Sequence, residues 1–106
     1  MTASRIDLFK QMLDSDPANT AILFGLAKEY EKIGAAAEMI ETLNRYLAVA
    51  DDQGNAYGML ARAYEQSGRR DEARATYEKG IEVANRHGHP GMAEEYRQTL
   101  ASEYEA

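Results

Sequence analysis

The stretch Leu26-Ala27-Lys28-Glu29-Tyr30-Glu31 returns as Leu60-Ala61-Arg62-Ala63-Tyr64-Glu65, an offset of 34 residues. The same offset carries Gly34 to Gly68, and it holds through Arg45 with Lys79, Leu47 with Ile81, Val49 with Val83 and Ala50 with Ala84. A period sustained over a whole unit marks an internal repeat. Within a unit the apolar residues recur at three and four: Ile22, Leu23, Leu26, Ala27, Tyr30 and Ile33, then Met39, Ile40, Leu43, Tyr46 and Leu47. That spacing belongs to helices, and no alternating stretch is long enough for a strand. Gly34 and Gly68 lie between the two halves, where glycine takes the left-handed conformation that a helix C-terminus needs. Each unit is thus predicted as a helix, a tight turn and a second helix.

Outward from the repeat, Asp16-Pro17 places a capping acceptor before a proline at the first helical position, and Asp52 can cap the equivalent helix of the next unit. The predicted helices cover 5–14, 17–33, 36–50, 53–67, 71–87 and 90–104. Leu100-Ala101-Ser102-Glu103-Tyr104 repeats the motif a third time, but 40 residues after Leu60, which implies six inserted residues around 85–91. So helical a chain, without a long heptad seam, is expected to be all-α, built from stacked antiparallel hairpins.

The 106 residues suit one domain, and 44% hydrophobic with 28% charged residues is a globular composition. Twelve Lys and Arg against 18 Asp and Glu leave a net charge of −6, so the chain has no basic stripe for phosphate backbones or anionic lipid. The expected partner is a protein or peptide, with no nucleic acid and no membrane. The N-terminal residues do not read as a secretory signal, and no run of about 18 apolar residues occurs. With no cysteine there is neither a disulfide nor a thiolate metal site. A cytoplasmic location is expected.

These residues resemble the tetratricopeptide repeat, a 34-residue helix-turn-helix unit with a Leu-(Gly/Ala)-x-x-Tyr core in its first helix and small and aromatic positions in its second. Starting from Gly54, the family positions fall on Tyr57, Leu60, Ala61, Tyr64, Gly68, Ala73, Tyr77 and Gly80. The unit from Thr20 matches at Leu23, Leu26, Ala27, Tyr30 and Gly34 but carries Met39 and Tyr46 where the family has small residues. The resemblance implies a right-handed α-solenoid in a single domain, 1–106. It would comprise an N-terminal capping helix (1–16), two repeats (20–53 and 54–87) and a C-terminal capping helix (90–106). Ile6, Phe9 and Leu13 would cover the first repeat, and Met92, Tyr96, Leu100 and Tyr104 the second.

The resemblance also implies a concave groove lined by Ala21, Phe24, Lys28 and Glu31, by Asn55, Gly58, Arg62 and Glu65, and from the last helix by Glu95, Gln98, Ser102 and Glu105. On this reading Lys28 and Arg62 hold a carboxylate or carbonyl of a partner peptide or helix, and Phe24 beside Ala21 and Gly58 offers an apolar pocket. On a plainer reading the charges pair with Glu31 and Glu65 and merely solvate the surface. Gly25 and Met59 stand where some family members have a clamp asparagine, which argues against binding of a chaperone tail.

His87 and His89, followed by Glu94 and Glu95, are too sparse a set for a metal, and no metal or cofactor is assigned. No nucleophile elbow, phosphate loop or His-Glu-x-x-His motif is present, so no enzymatic activity is expected. The reading is a non-catalytic protein-binding adaptor, monomeric or weakly dimeric. The alternative is a structural module that self-associates as a homodimer through its end helices.

Overall fold

Three glycines punctuate the chain with one turn geometry. Gly34, Gly68 and Gly88 have φ of +69°, +73° and +77°. After each, the next N–H reaches a carbonyl five residues back: Ala35 to Tyr30 at 3.0 Å, Arg69 to Tyr64 at 2.9 Å and His89 to Ala84 at 2.8 Å. These bonds close the last turn of a helix and reverse the chain. The computed structural model of the chain describes residues 4–105. Positions 1–3 and 106 of the expected capping segments therefore lie outside the described residues.

Among the described residues there are six helices and no strand: α1 (Arg5–Ser15), α2 (Thr20–Lys32), α3 (Ala36–Val49), α4 (Asn55–Gln66), α5 (Arg70–Arg86) and α6 (Pro90–Glu103). The chain is all-α, with neighbouring helices packed on one another as in a helical repeat. No described helix is long and apolar enough to cross a membrane.

One expected boundary is displaced. Asp16 ends α1, and Pro17 lies in the turn that follows instead of opening a helix. The N-cap of α2 is Asn19, whose Oδ1 accepts from the Ile22 N–H at 3.1 Å while its amide donates to Asp16 at 3.0 Å. Asparagine caps as well as aspartate does, and it lies closer to the first packed residue, Leu23. The N-cap of α4 is Gly54 instead of Asp52, but Asp52 still reaches the start of the helix from two residues upstream, its carboxylate accepting from Gly54 N at 2.8 Å and Ala56 N at 3.0 Å.

The helices group into two compact units, Met1–Asp51 and Asp52–Ala106. In the first, α2 packs on both α1 and α3, burying Leu13, Leu23, Leu26, Ala27, Tyr30, Met39, Ile40 and Leu43. Burying one such aliphatic side chain contributes about 1.5–3 kcal/mol. Phe9 lies against Gly25, and Arg5 forms an ion pair with Glu29 at 3.0 Å. In the second unit α5 packs on both α4 and α6, and Ala61, Ala73, Ala84 and Ala93 are wholly buried. The expected six-residue insertion is not seen: α5 has 17 residues against 14 in α3, but the turn after it is shorter, so α6 starts only one residue later in its unit than α4 does after α3.

The third copy of the motif needs correction. Ala101 is exposed and Leu100 only half-buried, so this copy does not repeat the buried Leu60-Ala61 pair. The buried Ala-x-x-Tyr of α6 is Ala93 with Tyr96, two turns earlier, and Tyr104 is buried as well.

Candidate functional site

On α2, Ala21 is exposed and Phe24 half-buried, its ring 5.2 Å from that of Tyr46 and tilted by 51°. The expected apolar pocket is thus partly filled by the hairpin's own second helix. Lys28 and Glu31 are both exposed and pair with each other at 3.6 Å. Beside them Glu29 takes Lys32 at 2.8 Å and Arg5 at 3.0 Å. Its carboxyl is held below the usual range, chiefly by the Lys32 hydrogen bond.

The same stripe on α4 is arranged differently. Gly58 is buried, and a Cβ there would stand 2.7 Å from the Tyr96 hydroxyl, so this position receives a ring from α6 and is closed to a ligand. Tyr96 donates to the Gly54 carbonyl at 2.7 Å, and burial pushes its phenol pKa up.

Glu65 is occupied too. It accepts from the Tyr77 hydroxyl at 3.2 Å and from the Tyr104 hydroxyl at 2.7 Å. Burial first, then the adjacent carboxylate, raise both phenols, Tyr104 to about 12. Arg70 and Arg74 keep Tyr104 in place: they donate to the carbonyls of Glu103 and Tyr104, and the Arg70 guanidinium lies 4.2 Å from the ring centre.

With Glu65 held by tyrosines, Arg62 remains exposed and forms no ion pair among the described residues. It opens into a cleft of about 690 Å³ with Asn55, His89, Met92, Glu95 and Tyr96. Of the expected groove residues in this unit, Asn55 and Arg62 come together there, while Gln98 is exposed on α6 and does not line the cleft. Glu95, expected on the α6 stripe, does line it; His89 and Met92 were not expected there. The buried Ala93-x-x-Tyr96 spacing is the signal that would have placed these residues in register.

The two histidines diverge, His87 Nδ1 toward the Val83 carbonyl at 3.2 Å and His89 Nε2 toward Gln53 Oε1 at 2.6 Å. Among the described residues no three His, Cys, Asp or Glu side chains converge as metal ligands would.

Residues 54–87, the α4–α5 hairpin with its turns, match the family model of the tetratricopeptide repeat. Over that hairpin the chain is similar to a tetratricopeptide repeat. No curated protein matches it. Tetratricopeptide repeats generally mediate binding between proteins, and the family is typically non-catalytic. The match coincides with the hairpin whose close contacts use Ala61, Ala73 and Gly80, the small residues that let two helices approach.

Proposed function

We propose that this chain is a non-catalytic adaptor that holds a peptide or helix of a partner protein, with Arg62 on the polar face of α4 as its main anchor. The observation that carries this is the state of Arg62: an exposed guanidinium at a cleft, without an acidic partner among the described residues such as its counterpart Lys28 has. A guanidinium presents a planar fork of donors that matches a carboxylate, and Asn55 adds an amide in the same cleft. Lys28, Glu31, Ala21 and Phe24 form a face of their own on α2, where the Lys28–Glu31 pair exchanges readily because an exposed pair is worth little. The cysteine-free composition suits action in the cytoplasm.

Affinity capture from lysate with the wild type, Lys28→Glu, Arg62→Glu and the double variant, read by mass spectrometry, tests the reading. Arg62→Glu is expected to lose the partners, Lys28→Glu to weaken them, and all four proteins to melt alike. Retention of every partner by the double variant overturns it.

One observation favours self-association as a second reading. Leu8 and Met12, one helical turn apart on α1, are 47% and 51% exposed. Light scattering across concentration separates the two, since an adaptor stays monomeric while a dimer built on α1 is lost in Leu8→Ser with Met12→Ser.

A further inference from the structure

Arg62 and Glu95 line the same cleft with opposite charges, yet neither is ion-paired among the described residues. The other acids near α4 are engaged: Glu65 by two tyrosine hydroxyls, Asp52 by the N–H groups of Gly54 and Ala56. Tyr96 forms the wall of the cleft and is fixed by its bond to the Gly54 carbonyl and by the absence of side chains at Gly58 and Gly80. His89, also in the cleft, is committed to Gln53. The two opposite charges therefore stand on different helices at one cleft, with no ion pair between them.

We propose that the cleft is a two-charge receptor, which takes a ligand presenting a carboxylate to Arg62 and Asn55 together with an ammonium or guanidinium to Glu95. This rests on the protein-binding reading above and names the partner's chemistry: a segment with an acidic and a basic side chain, not an acidic tail. A purely anionic ligand meets Glu95 as a like charge and a purely cationic one meets Arg62, so only a ligand bearing both gains at both ends. The required charge separation is set by the cleft, which makes ligand length a selective variable.

The probes are β-alanine, γ-aminobutyrate and ε-aminocaproate, which carry both charges at increasing separation, with acetate and methylammonium as single-charge controls. Each is titrated into the full chain and followed by amide chemical shifts. One length is expected to give saturable shifts centred on Asn55, Arg62 and Glu95, about two- to fivefold tighter than either control. Arg62→Gln and Glu95→Gln should each weaken it by about two- to fivefold, the range of an exposed ion pair, without changing the melting temperature.

Acetate binding as tightly as the best amino acid, with Glu95→Gln neutral or tighter, overturns the two-charge receptor but leaves Arg62 as a carboxylate anchor. Saturable shifts for none of the three lengths also overturn it. Partners lost in capture with Arg62→Glu but unaffected by Glu95→Gln would sink this inference and not the adaptor reading.

Discussion

The two repeats place different residues at matched positions, and the differences decide which charges are free. At the offset of 34, Phe24 stands opposite Gly58, Tyr46 opposite Gly80, Met39 opposite Ala73 and Leu43 opposite Tyr77. In the first hairpin Phe24 and Tyr46 pack on each other; in the second their counterparts are glycines, and the ring of Tyr96 from α6 lies against both. Similar space is filled from within one hairpin and from the next helix in the other. The last difference governs the polar face. Leu43 offers Glu31 no hydroxyl, so Glu31 pairs with Lys28, whereas Tyr77 and Tyr104 take Glu65 and leave Arg62 available. A basic and an acidic residue at identical repeat positions thus form an ion pair in one unit and a separated cation in the other.

The packing side of this comparison should give the largest effects. Met39→Ala removes a buried side chain and is expected to cost about 2–5 kcal/mol, while the reciprocal Ala73→Met overfills a wholly buried site at about 1–3 kcal/mol. Equal, near-zero changes in urea unfolding would break the matched alignment.

Next come the glycines. Gly80→Ala would put a Cβ 2.9 Å from that of Tyr57 and 3.0 Å from the Tyr96 ring. Alanine's helix propensity returns about 1 kcal/mol, so a net loss of about 1–2 kcal/mol is expected. Gly25→Ala meets only the end of the half-exposed Phe9 ring at 3.3 Å. Thermal melts should show it neutral or slightly stabilising, within about 0.5 kcal/mol.

Smaller again is the alkaline response. Tyr104 is raised from 10.0 to about 12 in the fold and Tyr77 is raised as well, so the folded state favours their protonated forms. Their contribution is complete below the unfolded value of 10 and is lost as pH rises through the folded value. Stability should therefore fall from about pH 10 to about pH 12, and the slope should flatten in Tyr77→Phe with Tyr104→Phe. An identical slope in that variant would place the tyrosines outside the network. The smallest change belongs to the exposed Lys28–Glu31 pair, whose removal by Lys28→Gln should shift stability by no more than about 0.5 kcal/mol.

The helices and their turns were legible because glycine punctuation and three-four spacing are local signals, and Ala61 and Ala27 fell on wholly buried positions as the repeat implied. Asn55 and Arg62 were legible by repeat position alone. Gly58 was not. A glycine in a groove stripe looks like open space, but here it receives a ring from 38 residues later in the chain. The capture of Glu65 was hidden for the same reason, since its two hydroxyls come from positions 12 and 39 residues away. In α6 the motif spacing occurs twice, at Ala93-x-x-Tyr96 and Ala101-x-x-Tyr104, and only packing selects the first alanine.

The most direct test of the separated cation is the coupling of Glu65 to its neighbours, read from double-mutant cycles in urea unfolding. Tyr104→Phe combined with Glu65→Gln should reveal a coupling of about 1 kcal/mol, as for a part-buried hydrogen bond to a carboxylate. Arg62→Gln combined with Glu65→Gln should reveal none beyond error. A clear Arg62–Glu65 coupling with none between Tyr104 and Glu65 would mean that the second repeat pairs its charges as the first does, and would contradict the account.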